Sequence, residues 1–102
     1  MTDKKIIHLL NDHGIWTVEK FGFANDPLPS LHHLRNEVEE AIQAPFDELE
    51  YADIFLLGMS GFWRTNRDAE DLFQAIQKKI EINKARKWPE NPDEKGIFHH
   101  IG

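Results

Sequence analysis

Apolar residues recur along this chain at steps of three and four, the spacing of one face of an α-helix. Ile6, Ile7, Leu10, Gly14, Val18 and Phe21 follow that rhythm and predict a first helix over about residues 4–21. Gly14 weakens its middle and is expected to kink it. Gly22 suits its end. Residues 22–29, Gly-Phe-Ala-Asn-Asp-Pro-Leu-Pro, hold two prolines and read as a connector. Ser30 is a good N-cap, and Leu31, Leu34, Val38, Ala41 and Ile42 form one stripe, so a second helix is expected over 31–43. It stops before Pro45, because the residue preceding a proline is pushed out of helical geometry. A third helix is expected over 47–64, capped by Asp47 with Glu50 as its capping-box partner. Its apolar residues (Leu49, Ala52, Ile54, Phe55, Leu56, Leu57, Met59, Phe62, Trp63) cover most of the circumference, which predicts a buried central helix. Thr65-Asn66-Arg67 is a turn, and Asp68 caps a fourth helix over 69–87, with Leu72, Phe73, Ile76, Ile80 and Ala85 on its apolar side. Trp88-Pro89 ends it and leaves a polar tail over 89–102. No segment alternates apolar and polar residues as a strand would. The expectation is an all-α, four-helix bundle with short connections, one domain over residues 1–102.

The link of about four residues near Pro45 makes helices two and three an antiparallel hairpin. Residues equidistant from the hinge then face one another: Leu34 and Leu56, Val38 and Ala52, Ala41 and Leu49. The same register sets Glu37 opposite Asp53 and Glu40 opposite Glu50. Within each helix the two acids are three residues apart, hence on one face. Four carboxylates with no basic residue among them repel unless a cation sits between them. Hard divalent ions such as Mg²⁺ and Mn²⁺ favour such oxygen-rich cages. A solvated acidic helix face is the plainer alternative. Asp53 argues against it, because it adjoins the most apolar stretch of the chain, residues 54–57. Ferritin-like sites need Glu-x-x-His, which no glutamate here provides.

Charge changes the picture in one respect. The 102 residues carry 12 Lys and Arg against 18 Asp and Glu, a net of −6, which argues against a general binder of DNA or RNA. Yet the fourth helix is locally basic. Lys79, Asn83 and Arg86 share one face, flanked by Lys78, Lys84 and Lys87. Cations in a last turn also complement the helix dipole, which accounts for Lys84, Arg86 and Lys87 better than for Lys79 and Asn83. Together with a metal-loaded acidic square, such a face suits a polyphosphate. The adjacent histidines (32–33, 99–100) point to different faces, so they are expected to be structural or exposed. The aromatic residues Trp16, Phe21, Phe23, Trp63, Trp88 and Phe98 read first as core or interface, with one or two able to stack on a base. No cysteine is present, which excludes disulfides and thiolate chemistry. No apolar run reaches the ~18 residues of a membrane span. The start, Met1 to Lys5, lacks a signal-peptide pattern, so a soluble, cytoplasmic protein is expected. Its small core makes self-association a reasonable expectation.

Glu37-x-x-Glu40 followed by Glu50-x-x-Asp53 resembles the metal signature of the MazG-like all-α NTP pyrophosphohydrolases. The run from Lys79 through Asn83 and Arg86 to Trp88 resembles the phage-type dATP/dGTP diphosphohydrolase (MazZ-like) branch. So do Trp16…Phe21-Gly22, His33-Leu34-Arg35, Glu50-Tyr51-Ala52-Asp53 and the tail around Gly96-Ile97-Phe98. Two features depart from the pattern: Asn36 stands where many relatives have a first glutamate, and Glu94-Lys95 is inserted before Gly96. The resemblance implies cleavage between the α and β phosphates of a purine (d)NTP, dGTP or dATP, giving a monophosphate and pyrophosphate. That product could include dGMP for 2-aminoadenine synthesis in a phage nucleotide pool. It implies two or three Mg²⁺ or Mn²⁺ ions on Glu37, Glu40, Glu50 and Asp53, with Glu37 or Glu40 orienting the attacking water as base. Lys79, Asn83, Arg86 and Trp16 are the implied substrate contacts. It also implies a homodimer, or a dimer of dimers, whose helices complete each active site, in a host cytoplasm. A house-cleaning pyrophosphatase of pyrimidine or noncanonical dNTPs would use the same square. A non-enzymatic helical interaction module would leave the square solvated.

Overall fold

A computed structural model describes residues 4–22 and 25–101. The four helices are α1 (Lys4–Phe21), α2 (Leu28–Gln43), α3 (Glu48–Trp63) and α4 (Ala69–Ala85). Among the described residues there is no strand, only an isolated antiparallel bridge between Lys87 and Ile101. The first three residues of the N-terminal stretch, Phe23 and Ala24 of the connector and Gly102 of the tail lie outside the described residues. No described helix is long and apolar enough to cross a membrane.

The α2–α3 hairpin is the most extensive pairing in the molecule, and α3 also touches α1 and α4. The link from Ala44 to Asp47 is closed by the Ala44 amide, which donates to the carbonyls of Glu40 and Ala41. The Tyr51 hydroxyl donates to the Pro45 carbonyl at 2.7 Å and ties α3 to the hinge. At the far end the Ser30 hydroxyl stands 3.4 Å from that of Ser60, and the two are equidistant from the hinge. That contact confirms the antiparallel register along the length of the hairpin.

Three helix ends differ from expectation. α2 begins at Leu28, before Ser30, with Pro27 at the N-cap position and Pro29 in the first turn. A first helical turn has amides without intrahelical partners, so proline costs nothing there and its fixed φ suits the turn. The capping oxygen comes from Asp26, which accepts from the Leu28 amide at 3.0 Å. Asp47 caps α3 as expected, accepting from the Leu49 amide, but the capping box with Glu50 does not form. α4 stops at Ala85 and not at residue 87, with Arg86 already extended. Its start carries a full capping box between Asp68 and Asp71.

The core is small. Leu10, Met59 and Ala69 are its buried centre, with Ile7, Leu56, Trp63, Leu72 and Phe73 packed around it. α4 therefore enters the core through its first two turns alone. The Ala69 amide anchors it by donating to Asn11 Oδ1 at 3.1 Å. α3 is central, but it is not buried all round: Leu49 and Phe55 remain exposed, as do Leu9, Ile42 and Ile80 on other helices and Phe46 in the α2–α3 link.

Gly14 does not interrupt α1, which runs unbroken. Its role is space. A Cβ at residue 14 would lie 2.9 Å from three atoms of the Trp63 indole, so α1 and α3 approach this closely only without a side chain there. Gly14→Ala would gain up to ~1 kcal/mol of helix propensity. Overpacking against a ring that cannot retreat costs ~1–3 kcal/mol. The net expectation is a fall of several degrees in the melting temperature, measured by circular dichroism; a rise would show that Trp63 yields freely.

Candidate active site

Two acids on α2 and one on α3 converge near the hinge. Glu37, Glu40 and Glu50 each offer a carboxylate oxygen, and the three atoms lie within 4.8 Å of one another. Glu37 and Glu50 are half-buried, whereas Glu40 is exposed. Asp53 is the fourth member of the expected square. It stands one turn beyond Glu50, close enough for its charge to act on both Glu37 and Glu50, but it is not in the tight triad.

The electrostatics follow from that crowding. Glu37 is held above the usual carboxylate range, first by a hydrogen bond to Glu40, then by partial burial and the charges of Glu40 and Asp53. The nearby His33 opposes this; its Nε2 lies 3.3 Å from Glu37 Oε1, one turn back along α2. Glu50 is also raised, first by burial and then by the charges of Glu40, Asp47 and Asp53. Its Oε2 is buried with no hydrogen-bond partner. A buried carboxylate oxygen without a donor is costly. An all-oxygen donor set with one buried, unpaired oxygen fits a hard divalent cation such as Mg²⁺ or Mn²⁺.

Glu37 and Asp53 line a cavity of about 580 Å³ between α1 and the hairpin. α1 contributes His13, Trp16, Thr17 and Phe21; α2 contributes Pro29, Ser30, His33 and Glu37; α3 contributes Asp53, Leu56, Leu57 and Ser60, followed by Arg64. Trp16 is half exposed and packs edge-on against Phe21, with ring centroids 5.8 Å apart and planes at 90°. His13 lies 5.8 Å away, tilted by 32°. The expected residue Trp16 thus shares one cavity with Glu37 and Asp53.

The basic residues do not reach it within the chain. Lys79, Asn83 and Arg86 line no part of the cavity, and α4 packs on α1 and α3 without touching α2. The physical reason is the anchoring described above, which leaves the C-terminal half of α4 outside the core. Lys79 is exposed there, and Asn83 and Arg86 are half-buried. The tail folds back onto this half: the Trp88 indole donates to the Asn83 carbonyl at 2.7 Å.

Sequence reasoning missed Arg64, His13, Ser30, Ser60 and Asp26 as cavity residues, and it set His33 aside. A signal was present for most of them. Steps of four, three and four from Asp53 lead along one face of α3 to Leu57, Ser60 and Arg64. Steps of four and three back from Glu37 lead along α2 to His33 and Ser30.

Comparison with known proteins identifies the family and the fold. Residues 9–101 match the family model of the dATP/dGTP pyrophosphohydrolases. The "Eaa protein" of Salmonella phage P22 is 36% identical over 88 residues, which cover 86% of this chain and 27% of that protein. The chain thus spans little more than a quarter of the length of that relative. Among solved structures, the cyanophage S-2L MazG-like pyrophosphohydrolase, bound to dGDP and three catalytic Mn²⁺ ions per active site, superposes with a TM-score of 0.75. It is 26% identical, and the match covers 93% of this chain and 95% of that one. Four helices, no strand among the described residues and an acidic hairpin are thus joined to a family match across nearly the whole sequence: the chain belongs to the dATP/dGTP pyrophosphohydrolase family, with the MazG-like all-α fold of an NTP pyrophosphohydrolase.

Proposed function

We propose that this chain hydrolyses purine deoxynucleoside triphosphates, dGTP and dATP, to the monophosphate and pyrophosphate. One observation carries the reading: Glu37, Glu40 and Glu50 cluster within 4.8 Å of one another, and Glu37 lines a nucleotide-sized cavity together with Asp53 and Trp16. Glu37, Glu40, Glu50 and Asp53 would hold two or three divalent ions, Mg²⁺ or Mn²⁺, for which the unpaired Glu50 Oε2 is a ready donor. Such ions supply charge neutralisation and polarisation of the phosphate oxygens. Glu37, which lines the cavity where Glu40 does not, orients the attacking water toward the α-phosphorus and takes up its proton. Trp16 offers its indole face to the base. The relative bound to dGDP and Mn²⁺ supports both the ligand class and the ion.

Lys79, Asn83 and Arg86 enter this reading through a second copy of the chain. Their face lies off the cavity of their own chain, and exposed apolar residues such as Leu9, Ile42, Leu49 and Ile80 call for cover. A homodimer, or a dimer of dimers, would bring α4 of one protomer to the cavity of the other, where Lys79 and Arg86 neutralise the β and γ phosphates. The setting we infer is the cytoplasm of a phage-infected host, with dGMP as one product.

Product analysis of dGTP and dATP incubated with Mg²⁺ or Mn²⁺ tests the cleavage position. Monophosphate plus pyrophosphate is expected; diphosphate plus phosphate overturns it, and preference for dUTP or dCTP removes the purine assignment. Glu50→Gln and Asp53→Asn should each lower turnover by more than about a hundredfold, since even outer-shell changes at metal sites cost 10–100-fold. Their helical circular dichroism should stay intact.

The raised carboxyls give a second, independent check. A group whose folded-state pKa lies above its unfolded value destabilises the fold once the pH exceeds the unfolded value, 4.5 for Glu. Without metal at neutral pH, Glu50→Gln should therefore melt at or above the wild-type temperature. The gap should close as the pH falls toward 4.5, where the wild-type carboxyl regains its proton. Saturating Mn²⁺ should reverse the order, because only the wild type gains full ligand stabilisation. A metal-free variant that melts well below the wild type would contradict the crowding argument.

A further inference from the structure

The cavity has a charged end and a second polar end that the carboxylates do not explain. Resting on the pyrophosphohydrolase reading, we propose that Arg64 reads the purine base. It would donate to O6 and N7 of a 6-oxopurine, so that dGTP is preferred over dATP.

Position comes first. Ser60 stands seven residues beyond Asp53 on the cavity face of α3, about 10 Å along the helix axis, and Arg64 stands one further turn on. With the α-phosphorus at the carboxylates, a nucleoside laid along the hairpin brings the far edge of its base to this end. Space follows from residue size. Ser30, Ser60 and Gly61 let α2 and α3 approach, so that a Cβ at residue 61 would meet Ser30 Cβ at 3.6 Å. The short serine side chains leave the cavity open here. Trp16 on α1 lines the same cavity and offers an aromatic face to a base.

The donor geometry is specific. Arg64 Nη1 donates to Ser60 Oγ at 2.7 Å and to the Ser60 carbonyl at 3.2 Å, which fixes a half-buried guanidinium at the C-terminal end of α3. Its Nε and Nη2 have no partner among the described residues, and the residue lines the cavity. Asp26 lines the same cavity but forms no ion pair with the guanidinium, which leaves those donors free. A guanidinium can only donate. Guanine and hypoxanthine present two acceptors on that edge, O6 and N7. Adenine presents N7 beside an N6 amino donor, which an arginine fork meets donor to donor. Pyrimidines lack N7 altogether. Ser60 is a positioning residue in this scheme, because it touches the guanidinium and not the base.

The test compares kcat/KM for dGTP, dITP and dATP in the wild type and in Arg64→Lys, which keeps the charge and one donor to Ser60 but loses the fork. The expected result is a loss of about ten- to hundredfold for dGTP and dITP, and under about threefold for dATP. dITP separates this reading from recognition of the guanine 2-amino group, which it lacks. Equal losses on all three nucleotides would assign Arg64 to the phosphates or the fold and overturn the proposal, as would no loss at all. Calorimetry with dGDP and dADP on the same two proteins gives a readout that does not need turnover. If the wild type hydrolyses nothing but binds dGDP over dADP, and Arg64→Lys erases that preference, the hydrolytic reading fails and the assignment of Arg64 stands. Normal hydrolysis with an unchanged dGTP-to-dATP ratio in the variant sinks the assignment alone.

Discussion

The register of the α2–α3 hairpin governs nearly everything else in this molecule. A four-residue link at Pro45 leaves two helices no choice but to run back along each other, and it decides which residues face which. At the hinge end that pairing drives Glu37, Glu40 and Glu50 together. At the open end it sets Ser30 against Ser60. A shift by one residue would rotate each side chain by about 100° around its helix and scatter both constellations. The anchors of the register are ordinary ones: the apolar stripe of α2 on α3, the Tyr51 hydroxyl on the Pro45 carbonyl, and small residues where the helices come closest.

Such a register concentrates charge against the interest of the fold. Three carboxylates share a space that a hydrophobic contact could have filled, and one of their oxygens is buried without a donor. Glu40 raises the proton affinity of both Glu37 and Glu50. A protein of marginal stability retains such an arrangement when a ligand offsets it. The cluster is therefore better understood as half of a complex than as a piece of core. The same holds for the guanidinium of Arg64, tethered on one side and open on the other.

Much of this was legible in the sequence because it depends on local rules. Helical periodicity, Gly22 after α1, and the caps at Asp47 and Asp68 all act within a few residues, and the helices formed where those signals lay. Two errors came from local rules that compete. Pro27 and Pro29 look like loop residues, yet a first helical turn accepts them, so α2 starts earlier than its serine suggests. Glu50 fits a capping box by spacing, yet its carboxylate turns to the acids of α2, a long-range partner that spacing within one helix does not reveal. Gly14 is the same lesson in packing: it reads as a weak point in a helix until Trp63 is seen against it.

The basic face of α4 was also legible, but its place was not. Periodicity puts Lys79, Asn83 and Arg86 on one side of a helix; where that side points depends on how the helix is anchored. Here the anchor is the first two turns, held by Leu72, Phe73 and the Ala69–Asn11 hydrogen bond. The rest of α4 projects past the core with its lysines away from the chain's own carboxylates. An acidic chain that must bind a more acidic ligand gains from this separation. Were the cations to sit among Glu37, Glu40 and Glu50, they would neutralise the carboxylates directly and leave neither ions nor phosphates a reason to bind. On the dimeric site proposed above, this separation keeps both sets of charge available for a nucleotide.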